Sequence, residues 1–306
     1  RTSLVIVGDH VTLESGTGCV HTAPGHGIED FVVCKNYPEI PIIVPVDAKG
    51  RLTEEAGMFA GLTTEEANKP IALHLEKIGA LFALKKIEHQ YPHCWRCHKP
   101  VIFRATSQWF CSVDDFKDDA VKAAEDVKWF PEWGKDRLQS MVKERADWCI
   151  SRQRKWGVPI PVVYCQDCGK EIIDNDIMMK VSKIFGEEGS DAWVAHDTEY
   201  FLPEGFKCPH CGSAKGFDKE KDIMDVWFDS GSSHAAVCAR RKYLKVPADV
   251  YLEGADQYRG WFQSSLLTSV AGGHGAPYKQ IITHGWTVDG EGKKMSKSLG
   301  NGIDPL

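Results

Sequence analysis

The sequence has no run of about 18 apolar residues, so no membrane-spanning helix is expected. A charged leader followed by an apolar core is also missing. The chain opens on "RTSLVIVG", which reads as a strand, with Arg1 where a translated chain starts with methionine. That opening is expected to be a cut. Positive charge is not in excess: 37 Lys and Arg stand against 43 Asp and Glu, a net charge of −6. This argues against a non-specific nucleic-acid binder and leaves a local patch for any such contact. No internal repeat and no low-complexity segment is found.

What is there fits a globular protein. Hydrophobic residues make up 42% of the 306 positions, near the usual share, and the length suits about two domains. Eleven cysteines could build a disulfide scaffold, but the chain is large and well supplied with core residues. Six of the eleven stand in C-x-x-C pairs at 94/97, 165/168 and 208/211. Metal-held thiolates in a reducing compartment are the better reading. "YCQDCGKE" (164–171) and "FKCPHCGS" (206–213) are both C-x-x-C-G. The glycine permits a tight turn whose N–H groups face sulfur. Two such knuckles make one four-thiolate zinc site from Cys165, Cys168, Cys208 and Cys211. The alternative is two disulfides or free thiols. His210 reads as a bystander. Cys94 and Cys97 in "YPHCWRCHKP" (91–100) form an odd third half-site. Either that pair binds no metal or its partner lies outside the chain.

Short apolar runs between glycine-rich turns over 4–47 predict strands; 27–37 and 63–81 read as helices, the second capped by Thr63 or Thr64. Helical patterns follow at 113–127 and 135–150, with apolar runs at 101–104 and 159–164. "DVWFDSG" (225–231), "DVYLEG" (249–254) and "KQIITHG" (279–285) read as strands running into glycine. That alternation predicts a parallel α/β sheet whose ligands sit beyond the strands' carboxyl ends. Asp229, Glu253, Asp256 and His284 are placed there. A cysteine- and charge-rich stretch, 161–223, reads as an inserted module.

Three further stretches carry chemistry. "GEGKKMSKSLGN" (290–301) crowds Lys293, Lys294 and Lys297 beside Ser296 and Ser298 on a glycine-hinged loop. Mobile ammonium groups suit a polyphosphate and can follow charge onto a leaving pyrophosphate; the alternative is a solvated surface loop. In "YLEGADQYRGWF" (251–262), Gly254 admits a ligand to the backbone, while Glu253 and Asp256 can accept from ribose hydroxyls. Trp261 is expected on the helical face of Gln257, four residues earlier, unless it is a core aromatic. "GTGCVHTAPGHGIEDF" (16–31) places His21, His26, Glu29 and Asp30 among four glycines, Gly25 included, and a proline. That suggests a pocket, and no serine stands there as a nucleophile, so a hydrolase would use a positioned water. A plain turn-rich loop is the alternative.

"KMSKS" (294–298), "LEGADQYRGWF", "DVWFDSGSSH" (225–234), "DWCISRQRKWGVPIP" (147–161) and "GTGCVHTAPGHGIED" together resemble the isoleucyl-tRNA synthetases, class I aminoacyl-tRNA synthetases, over essentially the whole chain. The resemblance implies a Rossmann-like α/β catalytic half with a zinc-binding insertion, preceded by the rear of a β-rich α/β editing domain. The implied division is 1–88 editing, 89–160 catalytic, 161–223 zinc-binding, 224–288 catalytic again, and 289–306 lysine loop and start of a stem-contact region. It implies ATP with Mg2+, isoleucine and tRNA(Ile) as substrates, a cytoplasmic monomer, and no membrane. Lys294 and Lys297 would hold ATP phosphates. Glu253, Gly254, Asp256, Gln257, His284 and Ser296 would contribute to ATP or adenylate binding. Trp227, Trp261 and Gln257 would wall the amino-acid pocket. Editing of valyl-tRNA would use Asp30 on the substrate ammonium, His21 to exclude isoleucine, and Gly25 and His26 beside them. These enzymes are themselves the usual illustration of why editing is needed: one methylene gives only about 1–3 kcal/mol of discrimination. The first class I signature, H-x-G-H, is absent from the 306 residues. The resemblance therefore implies an internal piece that does not aminoacylate alone, with the partner of Cys94 and Cys97 lying upstream. Valyl and leucyl synthetases, a non-catalytic zinc ribbon and a stand-alone deacylase are the competing readings. The last two leave most motifs idle.

Overall fold

The computed structural model describes residues 3–14, 17–94 and 97–303. Contacts divide the chain into two units, Arg1–Ser107 and Gln108–Leu306.

In the first unit, helix α1 spans Ile28–Cys34 and α2 spans Thr64–Lys77, joined through a short 3-10 segment at Glu54–Phe59. Thr63 caps α2: its hydroxyl accepts from the Glu66 N–H at 3.2 Å, and the Glu66 carboxylate accepts from the Thr63 N–H at 2.8 Å. This reciprocal box satisfies two donors that a helix start leaves free. The strands expected over 4–47 do not form among the described residues. Val46–Leu52 is the one β-bridge in that range among the described residues. Val5, Val7 and Leu13 lie exposed. Apolar runs marked extended backbone, but a strand also needs a partner ladder. The chain stays with this unit well past residue 88. Ala105 donates to Gly25 O at 2.8 Å, Arg104 Nε donates to Val46 O at 2.7 Å, and His26 Nδ1 lies 2.9 Å from Phe103 O.

In the second unit, β1 (Phe110–Cys111) leads to α3 (Lys117–Ala123), β2 (Lys128–Phe130) and α4 (Gly134–Lys143). The helices are shorter than the 113–127 and 135–150 patterns, because 3-10 backbone follows Ala123 and strand β3 (Trp148–Cys149) begins after α4. β3 pairs antiparallel with β1, and β4 (Ser151–Arg152) follows at once. β5 (Val163–Cys165), β6 (Glu171–Ile172) and β7 (Phe217–Lys219) form a separate antiparallel sheet in the order β6-β5-β7. Between β6 and β7 run α5 (Asn175–Glu188), α6 (Ala192–Ala195) and α7 (Thr198–Phe201). Ile177, Val181, Trp193 and Phe201 pack with that sheet into a core of its own. Glu220 fastens the segment to β1's approach: its carboxylate accepts from Trp109 Nε1 at 2.7 Å and Tyr164 OH at 2.5 Å.

β8 (Ile223–Met224) pairs antiparallel with β4, and α8 covers Val226–Gly231. Here the structure corrects the sequence reading, which made 225–231 a strand. Asp225 is 4% exposed, and its carboxylate accepts from the Trp227 N–H at 3.3 Å, starting a helix. β9 (Tyr251–Gly254), α9 (Trp261–Ala271) and β10 (Gln280–His284) complete the fold. β2, β10 and β9 form the expected parallel sheet, in the order β2-β10-β9. Phe262, Leu266 and Leu267 of α9 pack beneath it with Trp129, Tyr258, Tyr278 and Ile281. Leu266 is fully buried. Leu266→Ala is expected to destabilise this unit by about 2–5 kcal/mol, read as a lower urea midpoint.

Candidate functional site

The parallel register brings the expected ligand groups together. Thr283 pairs with Glu253 and His284 with Gly254, so β9 and β10 end side by side. Glu253 and His284 are exposed there, with Asp256 on the following 3-10 turn. A side chain at Gly254 would meet the Asp256 carboxylate at 2.8 Å and the His284 ring at 3.5 Å. Glycine therefore keeps the backbone bare between two polar groups. Asp229 is not with them. It sits on α8 and lines a cavity of about 700 Å³ with Arg152, Arg154, Lys155 and Trp156. Burial, with Asp225 nearby, pushes its carboxyl above the ordinary range.

Gln257 and Trp261 are close, but not as neighbours on one helix face. Gly260, at φ −118° and ψ −121°, breaks the helix between them. The Trp261 N–H instead donates to Gln257 Oε1 at 2.8 Å, so Gln257 caps α9. The Trp261 ring stacks on Tyr251 at 3.8 Å, and its Nε1 donates to Ser230 O and Ser233 Oγ, both at 3.1 Å. Trp227 stands 40% exposed beside Gly260, where an added Cβ would lie 2.9 Å from the Trp227 ring. The two tryptophans and the strand ends thus border one another through the Gly254–Trp261 turn.

The lysine loop follows β10 as a closed hairpin. Val288 bridges Lys294, and Met295 N–H donates to Thr287 O at 2.9 Å. Asn301 locks it: its side-chain oxygen accepts from Ser296 N–H at 2.9 Å, and its amide donates to Asp289 Oδ2 at 2.7 Å. The Asn301 amide and the Lys293 N–H hold the Asp289 carboxyl below its ordinary range. Lys294 Nζ rests 3.2 Å from the Trp286 ring centre, Lys293 pairs with Glu291 at 2.9 Å, and Lys297 is exposed.

The four cysteines converge as spacing implied. Cys165, Cys168, Cys208 and Cys211 offer sulfur atoms all within 4.8 Å of one another. Each knuckle closes alike: Gly169 N–H donates to Cys165 O at 2.7 Å, and Gly212 N–H to Cys208 O at 2.8 Å. Gly169 (φ 69°) and Gly212 (φ 76°) need the left-handed backbone that glycine adopts freely. Burial opposes ionisation of the Cys208 thiol, yet the His210 and Cys211 N–H groups and neighbouring thiols pull it to about 6. Ser213 N–H favours the Cys211 thiolate, but burial and the three other thiols push it to about 12. A tetrahedral dication is the natural ligand for such a set, since it lets all four ionise. His210 Nε2 faces Glu171 O at 3.1 Å, away from the sulfurs. The Cys94 segment has the same closure: His98 N–H donates to Cys94 O and Cys94 N–H to Lys99 O, both at 2.8 Å. His98, at φ 57°, occupies the position of the two glycines. Trp95 and Arg96 lie outside the described residues.

In the first unit, the 16–31 residues divide. His21 lines a cavity of about 650 Å³ with Val5, Val7, Val20 and Ile40. Gly25, His26 and Asp30 do not line it. Asp30 Oδ2 accepts from Ala23 N–H at 3.0 Å, and His26 faces Phe103 O. Gly25 packs so tightly that a Cβ would collide with Ile43 O. Gly16 lies outside the described residues.

Residues 27–306 match the family model described as tRNA synthetases class I (I, L, M and V). The chain belongs to this family. The isoleucine–tRNA ligases of Caldicellulosiruptor saccharolyticus and Moorella thermoacetica are 64% and 59% identical to it, over 100% of the chain and 33% of each relative. The chain therefore spans about a third of the length of the curated relatives it matches. A solved Mycobacterium tuberculosis methionyl-tRNA synthetase with methionyl-adenylate overlaps 70% of this chain and 32% of its own, at 20% identity and a TM-score of 0.40.

Sequence reasoning missed several residues of this class I synthetase chain. Asp289 and Asn301 close the lysine loop, Ser230 and Ser233 hold the Trp261 indole, and Asp225 starts α8. Asp225 had a signal, because aspartate before an apolar run is a common helix cap. The serine contacts had none, because they span different segments.

Proposed function

We propose that the chain supplies part of an isoleucine–tRNA ligase. One observation carries the reading: paired ends of parallel strands set Glu253, Gly254 and His284 at the head of the turn that leads to Trp261 and passes Trp227 at Gly260, and the lysine loop follows directly. The 64% identity to an isoleucine–tRNA ligase supports this amino acid over valine or leucine. In this reading the isoleucine carboxylate attacks the α-phosphorus of Mg2+-bound ATP. A carboxylate–phosphorus bond forms, the α–β bridging bond breaks, and pyrophosphate leaves. Lys294 and Lys297 stabilise charge on the departing group, with Ser296 beside them. Glu253, Gly254, Asp256, Gln257 and His284 bind adenylate, and Trp227 and Trp261 border the side chain. A terminal ribose hydroxyl of tRNA(Ile) then attacks the adenylate carbonyl, an ester forms, the carboxyl–phosphate bond breaks, and AMP leaves.

Cys165, Cys168, Cys208 and Cys211 hold a structural Zn2+, and Cys94 and Cys97 serve as half of a second site. The first unit takes the editing role, with His21, Gly25, His26 and Asp30 acting on mischarged valyl-tRNA. The domain division is that drawn from the resemblance, except that the first unit runs to Ser107 rather than 88, with a monomeric, cytoplasmic protein. This chain alone is not expected to aminoacylate. Amino-acid-dependent ATP–pyrophosphate exchange tests the reading, with isoleucine, valine and leucine compared on a full-length synthetase carrying this sequence. Isoleucine should turn over best. Equal or faster turnover with leucine would overturn the assignment, and isoleucine-dependent exchange by the 306-residue chain alone would refute its inactivity.

A further inference from the structure

We infer that Asp225 is a positioning residue that sets the orientation of Trp227 and so tunes amino-acid selection; the second half rests on the pocket proposed above. Asp225 is 4% exposed and holds contacts from three segments. Trp148 Nε1 donates to its Oδ2 at 3.0 Å. Arg152 Nη2 lies 3.0 Å from the same oxygen. The Trp227 N–H donates to Oδ1 at 3.3 Å. Its own N–H donates to Ile150 O at 2.7 Å, fixing the backbone to the β3–β4 connection. These four contacts tie the start of α8 to β3 and β4.

Trp227 is bounded on the far side by Gly260, and a Cβ there would stand 2.9 Å from the indole. Between these limits lies a small cavity of about 40 Å³, lined by Asp225, Trp227, Arg145 and Gln263 among others. Arg145 Nη1 donates to Gln263 Oε1 at 2.5 Å, while its Nε has no partner. Trp227 is thus held by a buried carboxylate at its backbone, a glycine at its ring, and a cation-lined gap where it could settle. Asp225→Asn keeps the shape but removes the negative charge facing Arg152 and Arg145. Asp225 is buried but Arg152 is 38% exposed, so losing the charge loosens a half-buried pair rather than stranding a fully buried cation. The arginines then have reason to shift, and the first turn of α8 moves with them.

Fluorine NMR tests the positioning directly on this chain. Its ten tryptophans are replaced by 5-fluorotryptophan, and Trp227→Phe assigns the relevant line. In Asp225→Asn the Trp227 line should shift and broaden, while the Trp193 line of the separate core stays in place. An unmoved Trp227 line overturns the inference whatever the kinetics show. The consequence is read in a full-length synthetase by ATP–pyrophosphate exchange. Asp225→Asn should raise KM for isoleucine about ten-fold, leave KM for ATP unchanged, and narrow the isoleucine-to-valine ratio. Equal changes in both KM values, or an unchanged ratio with a displaced line, would overturn the selectivity half. A parent without isoleucine-dependent exchange would sink the proposed function, and the fluorine spectrum would still decide whether Asp225 holds Trp227.

Discussion

Cys208→Ser is expected to unfold the segment from Val163 to Lys219 while the parallel sheet stays folded. The strands of this segment are two or three residues long, and its core is separate from the one under α9. Strands so short make few ladder bonds and do not stand alone. What draws their ends together is the sulfur cluster, with Cys165 facing Cys211 at 3.6 Å and Cys168 facing Cys208 at 3.8 Å. Bound zinc contributes apparent free energies of about 10–16 kcal/mol to small zinc-bound folds, far more than any single core contact here. Amide hydrogen exchange would show lost protection confined to 163–219, and the same loss should follow chelation of the wild type. Metal analysis should find about one zinc per chain, falling to none in the variant. The Cys94–Cys97 knuckle is proposed as half a site, so a full-length synthetase should hold about two. A variant that keeps both zinc and protection would remove the metal from this role.

The legible parts of the fold were those with a local cause. Two threonines before a run of acids marked the start of α2, where Thr63 proved to be the cap, and the apolar runs ending in glycine marked β9 and β10. The readings that failed had a competing local cause or depended on distant pairing. "VWF" suits a strand by propensity, but the buried Asp225 carboxylate makes it a helix start. The runs over 4–47 suit strands too, yet strand formation depends on a partner that residue order does not name.

The candidate site divides in the same way. The C-x-x-C spacing with a glycine after each second cysteine paired the four cysteines, because two such knuckles have one common geometry. The carboxyl ends of β9 and β10 were legible as ligand positions, but the register setting Glu253 beside Thr283 was not. Gln257 and Trp261 were expected to meet across one turn of helix. Gly260 broke that turn, and the amide of Gln257 became a cap instead.

The three lysines of the 290–301 loop are expected to differ sharply when each is replaced by alanine. Lys293→Ala should change ATP–pyrophosphate exchange by less than about three-fold, because an exposed ion pair such as Lys293–Glu291 contributes little. Lys294→Ala and Lys297→Ala should each lower kcat by about 10²–10³-fold, the usual loss when a donor to developing charge is removed. Lys294 rests over Trp286 at 3.2 Å, an exposed contact of about 0.5–1 kcal/mol. A triphosphate would draw the ammonium off the indole, so Trp286→Ala should have little effect on rate. Asn301→Ala is the informative control. It removes the lock on Ser296 and Asp289 while leaving every cation in place. A rise in KM for ATP in that variant, with the charge count unchanged, would mean the loop works by presenting two ammonium groups from a closed hairpin. If all three lysine variants lose activity equally, and the loss disappears at high salt, the loop acts only as a diffuse positive surface and the separate role given to Lys294 and Lys297 fails.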